Sequence, residues 1–349
     1  MTDTAPLISI CLPCRNTYPY LQECLDSIQL QKGVPWELIV CDGYSTDGSW
    51  ELLQSFCSSL PSAFCFQSGS SLYEAWNDCI RRSHGSYIYI ATSDDVLAPG
   101  ALACMAEALN KHPDFGLCQI RLAYINEHSQ LLKDSEQWLN GRLSYYQPEF
   151  INKASARIAP HDGVLMAAFH TVYESINQLL IRRSVFDRVG FFDSRFGSMG
   201  DFEWGMRVGL TESCIYLPQP VAYWRLHPSQ VTQPAFTSTE RLTALAMTRC
   251  AFARARSVAP RCLPLALLAA MEDFVYDDYV SACVPSSKGR LHALRFYFLE
   301  CRSRPLLALR RLWRSWRSDT TTTFDYAAKQ QRIVSIMRRF AVPLPIFES

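Results

Sequence analysis

Short apolar runs alternate with amphipathic segments along the first 110 residues. The run Leu7 to Leu12 predicts a buried strand, and the apolar residues between Leu21 and Ile28 follow it at the spacing of one helix face. The same alternation occurs three more times, with predicted strands at Trp36 to Cys41, Ala63 to Phe66 and Tyr87 to Ala91. Strands that alternate with helices indicate an α/β fold with a mostly parallel sheet and helices on both faces.

The carboxyl ends of parallel strands lie along one edge of such a sheet, and ligands bind outside that edge. The loops that begin at Pro13, Asp42, Gly69 and Thr92 follow the four predicted strands. All four loops contain polar residues. They therefore form the predicted functional edge.

The pattern changes in the second half of the chain. Residues 126–175 show no clear period, and we interpret them as an insertion beside the site. A strand at 178–182 and a helix at 201–210 are predicted after it, and helices follow to the end of the chain. We therefore predict an α/β domain at 1–235 and a helical, basic C-terminal region at 236–349.

The charge is distributed unevenly over these two regions. Residues 1–235 carry 16 Lys/Arg and 24 Asp/Glu, whereas residues 236–349 carry 18 and 9. The stretch Lys288 to Arg317 holds nine of these basic residues, interleaved with aromatic ones, and a single acid, Glu300. Such a stretch can bind an anionic membrane surface or can cover the acidic surface of the first domain. We do not favour nucleic acid as its partner.

The cysteines and the N-terminus indicate a cytoplasmic protein. The 14 cysteines have no regular spacing, and several lie within apolar runs, as small buried hydrophobic residues do. The pair Cys11 and Cys14 has no second pair to complete a zinc site, and we assign it to core packing. No signal peptide and no membrane span are expected, so any membrane contact would be peripheral, at the inner face.

Acidic residues stand out at the predicted functional edge. Asp94 and Asp95 follow the fourth strand directly, and paired carboxylates there can hold Mg²⁺ or Mn²⁺ together with substrate phosphates. Asp42 ends the second strand, whereas Asp201 and Glu203 lie at a predicted helix start. Each acid also has an ordinary structural explanation, as a solvated cap, a turn former or a partner of the helix dipole.

The order of these segments resembles the inverting family 2 glycosyltransferases, which have the GT-A fold. The resemblance covers roughly residues 5–232 and depends on the ordered set of motifs. These motifs are Leu7 to Asn16, Asp42-Gly43-Tyr44-Ser45-Thr46-Asp47-Gly48, Tyr73-Glu74-Ala75-Trp76-Asn77, Thr92-Ser93-Asp94-Asp95, Arg182 to Asp193, Gly200-Asp201-Phe202-Glu203 and Trp224-Arg225-Leu226-His227.

The resemblance implies roles in binding a nucleotide-diphosphate sugar donor. Asp42 would bind the base or ribose, and Asp94 would contact the ribose side. Asp95 would bind the divalent metal, Mn²⁺ or Mg²⁺, that bridges the phosphates. Arg15 and Asn77 belong to the matching motifs and are the other candidate donor-binding residues.

The resemblance also implies the catalytic residues. Asp201 would be the general base, with Glu203 as the second candidate, and His227 would contact the metal or the diphosphate. Two positions depart from the usual family pattern. An acid often stands where this chain has Gly43, and another where it has Gly200.

The expected function is the transfer of a sugar to a saccharide acceptor, lipid-linked in one interpretation, during synthesis of a surface polysaccharide. A nonenzymatic membrane-associated scaffold with the same fold is one alternative, but the intact acids argue against it. A sugar nucleotidyltransferase is another. It would need a glycine-rich basic loop after the first strand, which residues 13–16 do not provide. The chain also lacks a Gly-x-Gly-x-x-Gly or Walker motif.

Overall fold

Four strand and helix units build the first third of the protein. The computed structural model describes residues 8–132, 151–169, 172–230, 238–261, 263–283 and 326–347, together with Pro305 and Leu309. The first elements are β1 (Ile8–Cys14), α1 (Tyr18–Gln29), β2 (Trp36–Asp42), α2 (Ser49–Ser58), β3 (Ala63–Gln67), α3 (Leu72–Arg82), β4 (Tyr87–Ile90), β5 (Val96–Leu97) and α4 (Ala101–Lys111).

The second part completes the sheet and adds helices to it. Its elements are β6 (Leu117–Asn126), β7 (Ser155–Arg157), α5 (His161–Phe169), β8 (Leu179–Arg182), α6 (Arg183–Val189), α7 (Gly200–Thr211), β9 (Cys214–Leu226), α8 (Ser238–Val258), α9 (Leu265–Cys283), α10 (Tyr326–Arg339) and β10 (Ile346–Phe347). Short 3₁₀ turns at Ile176–Gln178 and Ser194–Met199 precede β8 and α7.

The strands form a single mixed sheet in the order β10-β7-β9-β6-β8-β4-β1-β2-β3, with β5 paired to β9. Strands β3, β2, β1 and β4 are parallel to one another. β8 runs antiparallel to β4 and to β6, whereas β6 and β9 are parallel. Because β8 runs opposite to both of its neighbours, β6 and β9 run in the same direction as β4. The C-terminal end of β9 therefore lies at the same edge of the sheet as the C-terminal ends of β1, β2 and β4.

Both faces of the sheet are buried, which explains the continuous apolar runs in the sequence. Alternate residues of β1 enter different clusters. Ile10 and Leu12 pack with residues of α1, α2 and α4, and Cys11 packs with residues of α3 and α5 on the other face. The predicted strands and helices of this half are present, and only their end residues differ.

The interval 126–175, predicted to be an irregular insertion, contains regular structure in its described part. It includes β7 and α5, and every residue of α5 is buried. A helix that is apolar on all sides has no amphipathic period, so the hydrophobic pattern could not reveal it.

The C-terminal helices share a hydrophobic core with the α/β part. Phe252 of α8, Met271 of α9 and Ile333 of α10 belong to the same cluster as Cys11 and Ile90 of the sheet. Because residues on both sides of position 235 share this core, the core does not mark a domain boundary there, and the predicted boundary stays a prediction. The stretch Lys288 to Arg317 lies outside the described residues, apart from two positions. Among the helices that the structure describes, none is long and apolar enough to cross a membrane.

Candidate active site

The strand ends bring the predicted acids to one edge of the sheet. Asp42 is the last residue of β2, Asp94 lies in the loop after β4, and His227 follows β9 directly. Asp201, in the first turn of α7, lies 3.0 Å from the hydroxyl of Tyr73, at the start of α3, the helix that follows β3. Residues up to 185 positions apart thus form one candidate site.

Asp42 organises the turn that follows β2. Its buried carboxylate accepts hydrogen bonds from the Ser45 backbone (3.0 Å), the Ser45 hydroxyl (2.5 Å) and the Gln67 side chain (2.9 Å). The Ser45 oxygen in turn accepts a hydrogen bond from the backbone N–H of Asn16 (2.9 Å). These bonds join the loops after β1, β2 and β3 into one rigid surface.

Two side chains border this surface. Arg15 is exposed, and its stem lies over Gly43, where a Cβ would be only 3.1 Å from its Cδ. A side chain at position 43 would require this exposed stem to shift by a few tenths of an ångström. Tyr44 is 59% exposed and adopts a φ of +58°, and its ring lies beside Gly69. Tyr44 is not among the residues predicted from the sequence, although an aromatic residue within a glycine-rich turn is a signal for such a role.

Asp94 and His227 form a polar pair. Oδ2 of Asp94 lies 3.0 Å from Nε2 of His227, and Nδ1 of the same ring lies 2.9 Å from the Ser229 hydroxyl. The Tyr20 ring packs against the imidazole with a centroid distance of 4.6 Å. The Asp94 side chain is 23% exposed and that of His227 only 4%, so the carboxylate is the more accessible of the two.

Asp95 faces away from this pair. Its oxygens accept hydrogen bonds from the Arg225 backbone (2.8 Å), the Asn177 amide (2.8 Å) and the Thr92 hydroxyl. Burial and the neighbouring Asp94 raise its pKa well above the ordinary value. These contacts hold the loop, and the metal-binding role of Asp95 stays a prediction.

A divalent cation fits the Asp94 and His227 pair chemically. A carboxylate oxygen and an imidazole nitrogen are both ligands for Mn²⁺. In the part of the chain that the structure describes, no group of three or more His, Cys, Asp or Glu side chains could hold a metal ion. A site with two protein ligands suits Mg²⁺ or Mn²⁺, which usually take their other ligands from substrate phosphates and water.

Asp201 has the properties of a general base. Burial raises the pKa of the Asp201 carboxyl to about 6, and the hydrogen bonds that it accepts offset part of this rise. One of its oxygens lies 3.0 Å from the Tyr73 hydroxyl, and the same oxygen accepts a bond from the Phe202 backbone N–H (2.9 Å). A carboxylate with this pKa is ionised at neutral pH and is still basic enough to take a proton.

Gly200 makes the contact between Tyr73 and Asp201 possible. A Cβ at position 200 would lie 2.8 Å from Cδ2 of the Tyr73 ring and 3.0 Å from the Asp193 carbonyl oxygen. Any larger residue would displace the ring. The missing acid at this position is therefore a steric requirement of this site.

Glu203 and Asn77 are both paired within the protein. The fully buried Glu203 carboxylate pairs with Arg207 (2.8 Å) and lies 3.4 Å from Arg254, and its role as the second candidate base stays a prediction. The Asn77 amide bonds to the backbone N–H and carbonyl of Phe192. This contact fixes the segment before α7, and the donor-binding role of Asn77 stays a prediction.

A model of the family described as glycosyl transferase family 2 matches residues 9–190, more than half of the chain. The chain belongs to this family, as the resemblance predicted. The fold agrees. It is similar to that of S. aureus TarS 1-349, with a TM-score of 0.56, 14% identity and coverage of 79% of this chain and 72% of that chain. The predicted α/β fold class of GT-A type is confirmed.

This chain spans only 24% and 35% of the length of two curated relatives that it matches. Chondroitin synthase of Escherichia coli is 26% identical over 174 residues, which are 50% of this chain and 24% of that protein. Abequosyltransferase RfbV of Salmonella typhimurium is 32% identical over 117 residues, or 32% of this chain and 35% of that protein. The mannosyltransferase PcManGT from Pyrobaculum calidifontis, solved with GDP-Man and Mn²⁺, has a TM-score of 0.50, 17% identity and coverage of 97% and 88%.

Proposed function

We propose that this protein transfers a sugar from a nucleotide-diphosphate donor to a hydroxyl group of a saccharide acceptor, with inversion at the anomeric carbon. One observation carries the proposal. Asp94 and His227 form a polar pair after two strand ends, and Asp201, a carboxylate with a pKa of about 6, contacts Tyr73 at the start of the helix that follows β3. A site for a phosphate-bridging cation beside a tuned base is what glycosyl transfer from a diphosphate requires.

The donor nucleotide binds along the loops after β1, β2 and β3. Asp42 at their centre is buried and accepts three hydrogen bonds, so it acts on the base or ribose through the Ser45 turn that it holds. The exposed ring of Tyr44 offers a flat face on which a base can stack. Arg15, exposed beside them, supplies a positive charge toward the phosphates.

Asp94 and His227 are the residues that would hold the divalent cation. A cation bound there neutralises the charge that develops on the departing diphosphate. Asp94 takes this role because its carboxylate is accessible, whereas the carboxylate of Asp95 is already occupied by three donors. Our proposal therefore moves the metal-binding role predicted for Asp95 to Asp94.

Asp201 acts as the general base. It takes the proton from an acceptor hydroxyl while that oxygen attacks the anomeric carbon, opposite to the departing nucleoside diphosphate, and this geometry inverts the configuration. Tyr73 holds the carboxylate in place through its hydroxyl. Positioned general bases contribute roughly 10²- to 10⁴-fold to the rate.

The acceptor that we propose is a saccharide, lipid-linked and destined for a surface polysaccharide. The relatives named chondroitin synthase and putative teichuronic acid biosynthesis glycosyltransferase TuaG support a place in polysaccharide synthesis. A cytoplasmic location with peripheral membrane contact through residues 288–317 suits such an acceptor, and both remain predictions.

Calorimetric binding tests this function directly. UDP, GDP, CDP and dTDP are titrated into the protein with Mn²⁺ and with EDTA. We expect one base to bind preferentially, and only when Mn²⁺ is present. The matching nucleotide sugar should then release its nucleoside diphosphate during turnover, and Asp201→Asn should abolish this release while donor binding stays intact.

Asp187→Asn, at an exposed position on α6, is the matched control and should retain full turnover. Normal turnover by Asp201→Asn would rule out the assigned base. Binding of no nucleoside diphosphate under any condition would rule out the proposed function itself.

A further inference from the structure

Arg225 is a fully buried arginine near the end of β9, and its guanidinium connects three separate segments. Nε donates to the Asp94 carbonyl oxygen (2.7 Å), and Nη2 pairs with Glu23 of α1 (2.6 Å). Nη1 donates to the Asn126 carbonyl (3.2 Å) and to the Ser129 hydroxyl (2.8 Å). One side chain thus joins α1, the turn after β6 and the loop after β4.

The backbone of the same residue holds the other half of that loop. Its N–H donates to Oδ1 of Asp95 (2.8 Å), while its side chain holds the carbonyl of Asp94. His227 is only two residues further along the chain. Arg225 therefore fixes the distance between Asp94, which it holds by hydrogen bonds, and His227, to which it is covalently connected.

Tyr20 adds a second link between the same groups. Its ring lies 5.0 Å from the Arg225 guanidinium carbon and 4.6 Å from the centroid of the His227 ring. Cations and aromatic faces attract each other at such distances. The imidazole consequently has a packing partner that is itself held by Arg225.

Lysine cannot replace these contacts. The guanidinium is a planar fork that serves several acceptors in fixed directions, whereas an ammonium is a compact charge on a flexible stem. The acceptors of Arg225 belong to three segments that lie in different directions from the side chain. An ammonium could reach some of them but would leave others without their donor.

We propose that Arg225 is a positioning residue for the cation site, and that it holds the Asp94 main chain and His227 at the separation a divalent cation requires. The inference rests on the proposed function, because it concerns the affinity of that same site. Residues that orient metal ligands typically change metal affinity by about 10- to 100-fold when mutated. Arg225 itself contacts neither the cation nor the sugar.

The test compares Arg225 with Arg182, a partly buried arginine that also donates to main-chain carbonyls. Mn²⁺ is titrated into protein saturated with UDP, and in parallel with GDP, and free Mn²⁺ is followed by electron paramagnetic resonance. Arg225→Lys should raise the Mn²⁺ concentration at half-saturation by about tenfold or more. Arg182→Lys is the control, because Arg182 donates to the Phe115 carbonyl (2.8 Å) and to the Tyr87 hydroxyl (3.1 Å), away from the site.

Arg182→Lys should change only the thermal stability of the protein. Its Mn²⁺ concentration at half-saturation should differ from that of the wild type by less than about twofold. Equal shifts in Arg182→Lys and Arg225→Lys would overturn the proposal, because they would reflect general loosening. Unchanged Mn²⁺ affinity in Arg225→Lys would overturn it as well. Failure of the wild-type protein to bind Mn²⁺ with either nucleotide would instead count against the proposed function.

Glu23→Gln provides a second route if Arg225→Lys does not fold. The Glu23 side chain is 45% exposed, so its replacement leaves the core intact, yet it removes the charge that holds the guanidinium. We expect the Mn²⁺ concentration at half-saturation to rise severalfold. Wild-type affinity in this variant, with Arg225→Lys unfolded, would contradict the positioning role.

Discussion

At the scale of single residues, the pKa of Asp201 predicts how the rate depends on pH. The group accepts a proton only as a carboxylate, and burial raises its pKa to about 6. The turnover number should therefore be low at pH 5, rise through an inflection near pH 6 and level off above pH 7. The measurement is kcat against pH, from nucleoside diphosphate release. A flat profile between pH 5 and 7 would argue against Asp201 as the base.

Tyr73→Phe tests the same carboxylate from its neighbour. The hydrogen bond from the Tyr73 hydroxyl lowers the pKa of Asp201, so its removal should shift the inflection to higher pH and reduce kcat at pH 6. Tyr87→Phe is the control, because that buried hydroxyl donates to Asn110 (2.6 Å) on α4. Its profile should match the wild type. An unshifted inflection in Tyr73→Phe would contradict the proposed coupling.

The neighbouring acids Asp94 and Asp95 should respond differently to substitution by asparagine. Asp94→Asn removes the accessible negative charge, and we expect Mn²⁺-dependent nucleotide binding to be lost. Asp95→Asn disturbs buried hydrogen bonds and should lower the free energy of unfolding by about 1–3 kcal/mol, with Mn²⁺ affinity changed only a few fold. Calorimetry and urea unfolding measure the two effects. The opposite pattern would restore the roles predicted from the sequence.

The sequence could predict that these acids lie at the functional edge but not which of them faces the site. Their directions are set by partners that are distant along the chain, namely Asn177 and Arg225 for Asp95 and His227 for Asp94. No local pattern in residues 92–95 records those contacts. The role of Arg225 was hidden for the same reason, although its motif had been recognised.

At the scale of elements, the hydrophobic period predicted the strands and helices whose two sides differ. It located α3 at its observed bounds, Leu72–Arg82, because one side of this helix is buried and the other is charged. It did not predict β9, which contains Pro218 and Pro220 within a thirteen-residue strand. Proline within an apolar run argues against a strand, and here both prolines lie in a register shift, between Leu217 and Val221, where β9 does not pair with β6.

Helix α8 should support the segment that leads to the base. Arg254 on this helix donates to Asp193 (3.0 Å), and Arg195 together with Arg254 lowers the pKa of that carboxyl to about 2. Arg254→Gln should therefore reduce kcat severalfold by loosening residues 193–199. It should lower the free energy of unfolding by less than about 1 kcal/mol, because the arginine is partly exposed.

Arg249→Gln is the matched control for this prediction, because Arg249 lies on the same helix and pairs with Glu272 of α9. Steady-state kinetics and urea unfolding of both variants separate local support from general stability. A comparable loss of kcat in Arg249→Gln would show that the effect comes from the helix and not from its contact with Asp193.

At the scale of the whole molecule, the C-terminal region belongs to the structural core. Ile333 and Met337 of α10 are buried in the cluster that includes the sheet, and β10 pairs with β7 at the sheet edge. The excess of basic residues after position 235 predicted a different environment for this region. Composition could indicate a change in surface charge, but it could not show that the apolar residues of both regions share a core.

This packing determines how membrane contact must be tested. Deletion of residues 288–349 would remove α10 and β10 together with the basic stretch, so loss of binding could reflect unfolding. Replacing Arg310, Arg311, Arg314 and Arg317 with glutamine removes four positive charges and leaves the residues of α10 and β10 in the chain. Each basic residue near an anionic surface contributes about 1 kcal/mol, so affinity for phosphatidylglycerol vesicles should fall by tenfold or more.

Cosedimentation with vesicles of phosphatidylglycerol and phosphatidylcholine measures this affinity, and vesicles of phosphatidylcholine alone show whether anionic lipid is required. The control variant replaces four exposed basic residues elsewhere, Lys32, Lys111, Lys153 and Arg338, with glutamine. It has the same net charge but should bind the anionic vesicles almost as the wild type does. If both variants bind the anionic vesicles equally weakly, binding depends on net charge and not on residues 288–317. If neither variant binds more weakly than the wild type, these residues do not bind the membrane, and the alternative that they cover the protein's own acidic surface is favoured.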